Sequence, residues 1–197
     1  MKDHSQHGEQ ATILAYFGGK RYGTFLDIGA NDGVRYSNTR ALVELGWFGT
    51  YVEPSPAAFA SLRENLPNAK AFPVAITEAD GAVELFESDE SSHRLISTTI
   101  ASERERWGVC RFKGVMVSGW SFEKLLAESC DTQYDFISID AEGADLAIFN
   151  QIDLAALRVG MVCVEHNGKG LADFDAHARA HGMSRHWANG CNVIYSK

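Results

Sequence analysis

A chain of 197 residues, 45% of them apolar, is long enough to bury one core without disulfide or metal staples. Its formal charge of −8 argues against a nucleic-acid partner, because phosphate backbones require a basic stripe. The nearest such cluster, Arg104, Arg106, Arg111 and Lys113, is interrupted by Glu103 and Glu105 and reads as a solvated helix face.

The opening "MKDHSQHGEQ" is polar, with no apolar signal core, and no run reaches the length of a membrane span. His4 and His7 fall in what reads as a mobile tail. Cys110, Cys130, Cys163 and Cys191 are far apart and form no zinc spacing, which fits a reducing compartment better than a disulfide framework. These features predict one domain, residues 1–197, in a soluble cytoplasmic protein.

"GEQATILAYFGG" predicts a helix packed over the first strand, "TFLDIG". "NTRALVELG" is helical and stops at Gly46. "GTYVEP" is a second strand, broken by Pro54. "SPAAFASLRENL" has Ser55 as a cap, proline at its first helical position, and Phe59, Leu62 and Leu66 on one face. "AKAFPVAI" is a third strand in which Pro73 marks an edge or irregular position. Residues 80–120 break the rhythm: "GAVELFES" alternates like an exposed strand, "SDESSHRLISTTIASERERWG" mixes a polar loop with a short helix, "GVMVSGW" is another strand-like run, and the whole reads as an insertion or lid over a binding face. The rhythm then returns with helix "SFEKLLAES", strand "YDFISID", helix "GADLAIFNQI", strand "GMVCVEHN" and helix "LADFDAHARAHG". "MSRHWAN" and "CNVIYSK" close the chain as an antiparallel pair joined through Asn189-Gly190. Alternating strands and helices predict an α/β fold, a mostly parallel sheet with helices on both faces.

Ligands of such sheets bind beyond the carboxyl ends of the strands. Asp27, Glu53, Asp140 with Glu142, and Glu165 with His166 and Asn167 all fall at such ends. In "DIGANDG", Gly29 permits a tight turn, and Gly33 lets the next helix begin near a ligand. A dinucleotide turn would place glycine where Asn31 stands. Asp27 and Asp32 would repel a pyrophosphate and suit a ligand with an ammonium and a sulfonium, such as S-adenosylmethionine. Glu53, 20 residues beyond Gly33, can accept hydrogen bonds from ribose hydroxyls of either cofactor.

In "SIDAEGAD", Asp140 and Glu142 can meet a cofactor amino group, take a substrate proton or bind a divalent metal, and either can also cap the next helix. His166 titrates in the range of a general base. No metal is predicted, although convergence of Asp140, Glu142 and Glu165 would allow a divalent ion.

The stretches "SQHGEQ", "FLDIGANDGVRYSNT", "GWFGTYVEPSPAAFASL" and "FISIDAEGAD" together resemble the FkbM-type methyltransferase family, a branch of the class I S-adenosylmethionine-dependent enzymes. The resemblance spans most of the chain. Where the family commonly has Lys-Ile-Asp-Val-Glu-Gly, Ser138 and Ala141 depart from the pattern.

The resemblance implies a Rossmann-like, seven-stranded sheet of order 3-2-1-4-5-7-6 with strand 7 antiparallel. It implies cofactor contacts at Asp27, Gly29, Asn31, Gly33 and Glu53, with Ser37, Asn38 and Thr39 nearby and Asp140 and Glu142 facing the methionine end or the acceptor. It implies O-methylation of a small-molecule hydroxyl acceptor, a sugar or natural product. Asp140, Glu142 or His166 would serve as base, and the acceptor would enter over residues 91–107, where Arg94 and Trp107 lie. The competing readings are an NAD-dependent oxidoreductase and a non-catalytic cofactor-binding module.

Overall fold

The computed structural model describes residues 2–89, 95–108 and 110–197. Helix α1 (Glu9–Phe17) ends at Gly18 in the left-handed conformation and packs Ile13 into a cluster with Phe25. Five parallel strands follow from the apolar runs: β1 (Thr24–Ile28), β2 (Phe48–Val52), β3 (Lys70–Phe72), β7 (Phe136–Ile139) and β8 (Met161–Glu165). β9 (Ser184–Ala188) and β10 (Asn192–Ser196) complete the sheet, β10 running antiparallel to both neighbours.

The order across the sheet is β3-β2-β1-β7-β8-β10-β9. Counted within this sheet alone, that is 3-2-1-4-5-7-6. The central strands carry near-continuous burial, as a parallel sheet covered on both faces requires. Alternate side chains supply two cores. Leu26, Ile28, Val52, Ile137, Ile139, Val162 and Val164 face one; Phe25, Tyr51, Phe136, Met161 and Cys163 face the other. Each such side chain contributes about 1.5–3 kcal/mol on burial.

Helices α2 (Arg40–Glu44), α3 (Pro56–Asn65), α5 (Phe122–Ser129), α6 (Asp145–Phe149) and α7 (Leu171–Ala180) lie between the strands in sequence. Ser55 caps α3 as expected: its hydroxyl accepts from Ala58 N at 3.1 Å, with Pro56 at the first helical position.

One expectation needed revision. "AKAFPVAI" is not one strand. It divides at Pro73, because proline has no N–H with which to continue the ladder. β3 stays in the main sheet, and β4 (Val74–Ile76) leaves it to pair with β6 (Phe112–Trp120). With β5 (Gly81–Ser88) these make a second sheet of order β4-β6-β5, in which the strand-like runs "GAVELFES" and "GVMVSGW" are β5 and part of β6. The short helix α4 (Glu103–Arg106) lies between β5 and β6 in sequence. The β9–β10 connection is closed by the Asn189 side chain, whose Oδ1 accepts from Cys191 N and Asn192 N, both at 2.7 Å.

Candidate active site

A cavity of about 410 Å³ opens at the carboxyl ends of β1, β2, β7 and β8. Its floor is built by the turn after β1. Gly29 has φ +81°, and a Cβ there would lie 1.7 Å from the Asp140 carbonyl oxygen. The turn therefore touches the end of β7, and Asp140 N donates to Ile28 O at 2.9 Å. Gly29 N and Ala30 N both donate to Val52 O at the end of β2, at 2.9 and 3.1 Å. Asn31 N donates to Glu53 Oε2 at 2.8 Å, and Gly33 N to Ala30 O at 2.9 Å. These backbone donors, which a phosphate would need, are already spent inside the protein.

Asp27 and Glu53 are buried and line the cavity. Burial pushes the Asp27 carboxyl up to about 6, against the opposing bond from Thr39 Oγ1 at 2.6 Å. Burial likewise pushes Glu53 up to about 7, against the N–H groups of Ser55 and Asn31. Asn38 also lines the cavity; its Nδ2 donates to Ser138 Oγ at 3.2 Å, and its Oδ1 is buried without a partner.

Asp140 and Glu142 line the far side with Glu165. The Asp140 side chain is open to the cavity, yet it stands among carboxylates. All three carboxyls are raised, first by loss of bulk water; Asp145 adds to each, Asp140 adds to Glu142 and Glu165, and Arg106 opposes the rise at those two. Glu165 Oε2 is buried without a partner.

Asp145 is a residue that the sequence reading passed over. Its Oδ1 accepts from Ala141 N at 2.7 Å and its Oδ2 from Gly143 N at 2.9 Å. The capping role expected of Asp140 or Glu142 thus falls to the acid at the first helical position, where Asp is enriched. The carboxylates that converge, with oxygens within 4.8 Å, are Asp140, Asp145 and Glu165. Glu142 is replaced by Asp145 in that trio. Oxygen donors suit a hard cation, but both Asp145 oxygens already hold backbone N–H groups.

Three residues singled out from the sequence, Gly33, Asp32 and His166, are not brought into the cavity lining. Gly33 has φ +71°, and its missing Cβ makes room for Leu66, whose Cδ1 would lie 2.7 Å away. Its constraint is packing against the α3 end, and α2 begins only at Arg40. Asp32 spends Oδ1 on Val34 N and Arg35 N, at 2.9 and 2.7 Å. His166 is buried, with Nδ1 accepting from Gly168 N at 3.0 Å and Nε2 3.1 Å from Asn189 O. That pattern puts the proton on Nε2 and leaves no lone pair for a base.

Other segments wall the cavity. Ile96, Ser97, Thr99, Arg106 and Trp107 line it; Arg94 lies outside the described residues. Thr98 Oγ1 donates to Glu142 O at 2.7 Å, and a Cβ on Gly143 would meet Glu103 Cγ at 2.6 Å. Glu103 also pairs with Lys169 at 2.8 Å. From the other side, Gln6 and His7 reach the lining. The expected mobile tail is fastened: His7 N donates to buried Glu9, which also accepts from Asn192 Nδ2 at 2.7 Å, and His4 Nε2 lies 3.1 Å from Glu44 Oε1. Arg35 and Tyr36 complete the lining and were not singled out from the sequence.

Residues 27–184 match the family described as the Methyltransferase FkbM domain. Among solved structures, the fold is similar to methyltransferase FkbM from Methylobacillus flagellatus, with a TM-score of 0.58 and 11% identity over 89% of this chain. The chain spans 44% of that protein's length. It is also similar to precorrin-6y C5,15-methyltransferase from Geobacter metallireducens (TM-score 0.54, 12% identity, 100% of this chain and 92% of that one). A third is the TehB-like SAM-dependent methyltransferase from Corynebacterium glutamicum (TM-score 0.51, 15% identity, 100% of this chain and 89% of that one). No curated protein matches the sequence. At these identities the likeness is one of fold, the Rossmann-like methyltransferase sheet.

Proposed function

Because this chain belongs to the FkbM methyltransferase family, we propose that it is an S-adenosylmethionine-dependent enzyme that methylates a hydroxyl of a small polar acceptor, a sugar or natural product. The observation that carries the cofactor reading is the turn after β1. Its N–H groups at Gly29, Ala30, Asn31 and Gly33 are consumed by protein acceptors, while Asp27, Glu53 and Asp140 face the cavity. A pyrophosphate would find carboxylates and no free N–H cradle there. A ribose with a cationic thioether end fits: Glu53 would accept from ribose hydroxyls, and Asp27 and Asp140 would face the positive charge.

The bound cofactor supplies an electrophilic methyl group. The protein's part is to place the acceptor hydroxyl, exclude water and receive its proton. Asp140 or Glu142 would take that proton in its ionised form: raised to about 8 and about 9, each holds a proton more tightly than an ordinary carboxyl and is the stronger base once ionised. The segment carrying Arg106 and Trp107, tied to Glu142 through Thr98, would cover the acceptor. The hydroxyl acceptor itself rests on the family resemblance.

Calorimetric titration with S-adenosylhomocysteine and with NAD tests the cofactor. Binding of the former alone is expected; binding of NAD alone points to an oxidoreductase, and binding of neither to a scaffold without cofactor. Turnover by D140N and E142Q then tests the base, and full activity in both would reject it.

A further inference from the structure

The carboxylate-rich cavity raises a difficulty for the cofactor just proposed, whose amino-acid end carries a carboxylate of its own. Asp27, Glu53, Asp140, Glu142 and Glu165 all line the same space. A further carboxylate there is repelled unless a cation meets it. Among the described lining residues, the guanidinium groups are those of Arg35 and Arg106. Arg106 lies 3.8 Å from Glu103 Oε2, and its charge already acts on Glu142 and Glu165. The Arg35 guanidinium has no ion pair or hydrogen bond among the described residues; only its backbone N is held, by Asp32.

The local chain fixes the backbone at Arg35, whose side chain is exposed at the cavity rim. Asp32 closes a turn on Val34 N and Arg35 N. Two residues later, Ser37 Oγ accepts from Thr39 N and Arg40 N at 3.3 and 3.1 Å. Between these turns Tyr36 sits at φ +53°, 47% exposed, and lines the cavity. A bulky residue in the left-handed region costs about 1–2 kcal/mol, and such strain persists where the surroundings over-determine it, often at ligand sites. Asn31, Glu142 and Asn167 are further left-handed residues that line this cavity.

We infer that Arg35 holds the carboxylate of the cofactor's amino-acid end. Resting on the S-adenosylmethionine reading above, this also sets the cofactor's direction. The ribose lies at Glu53 on the β2 side, the amino-acid end lies along residues 35–38, and the methyl group is left facing Asp140, Glu142 and the Arg106 segment.

The test is calorimetric titration of the full chain with S-adenosylhomocysteine and with 5′-methylthioadenosine, which keeps the adenosine thioether but lacks the amino-acid end. R35Q should weaken S-adenosylhomocysteine by about 10- to 100-fold, the range of a charge-assisted bond, and leave methylthioadenosine unchanged. R35K should recover part of the loss. E53Q should weaken both ligands. Equal weakening of both by R35Q, or of neither, overturns the assignment, as does a loss confined to H7Q, which removes a third basic side chain of the described lining beside Arg35 and Arg106. If the wild type binds neither ligand, the cofactor reading itself fails, and that result is distinct from the others.

Discussion

At the scale of single residues, backbone geometry separates positions that look alike in sequence. Gly29 and Gly33 are both glycines of one turn, and both have positive φ. Only Gly29 touches the site, and what its missing Cβ spares is the carbonyl of Asp140 at 1.7 Å. A backbone atom at that distance cannot yield as a side chain can, so G29A should cost about 3 kcal/mol or more, seen as a large drop in thermal unfolding temperature. His166 was a reasonable base by chemistry alone. Its two ring nitrogens are committed to Gly168 N and Asn189 O. H166Q should therefore keep turnover, while stability falls by about 1–2 kcal/mol for the disturbed buried bonds. A loss of turnover with stability intact would restore His166 to the chemistry. The apolar run of β8 was legible; that His166 Nε2 meets Asn189 O was not, because that partner comes from the β9–β10 connection.

At the scale of elements, the loop from Asp140 to Asp145 shows how one side chain can organise several functional ones. Asp145 ties down Ala141 N and Gly143 N, and so shapes the backbone on which Asp140 and Glu142 stand. D145A would leave both N–H groups without their acceptor. We expect a loss of about 2 kcal/mol from the missing bonds, and a fall in kcat with little change in S-adenosylhomocysteine affinity. Unchanged stability in denaturant titration would contradict this account. Placement at a strand end drew attention to Asp140 and Glu142, whereas Asp145 carried the ordinary signal of an acid in a helix's first turn. Pro73 offers the reverse lesson. Its effect on strand pairing was legible, but the sheet that received β4 was not, since pairing with β6 joins residues more than 40 positions apart.

At the scale of the whole molecule, the parallel sheet gathers acids from distant strands into one cavity, and their shared burial makes stability depend on pH. Asp27 and Glu53 stand near 6 and 7, above their ordinary values of 3.8 and 4.5. Raised carboxyls bind protons more tightly in the folded than in the unfolded chain. Their contribution is thus fully present below about pH 4 and is lost as pH rises through about 7. In the absence of ligand, E53Q should show a shallower fall in unfolding temperature than the wild type across that window; parallel curves would refute the coupling. The apolar runs, their alternation with helices and the acids at strand ends determined a mostly parallel sheet and the end at which the site lies, because burial and chain connectivity are written locally; the strand order followed from the family resemblance. Only the tertiary structure decided which acids face one another, that the turn's N–H groups are already spent, that the N-terminal lead-in reaches the cavity, and that the Arg35 guanidinium has no ion pair or hydrogen bond among the described residues. Those facts depend on contacts between residues far apart in sequence, and no local pattern encodes them.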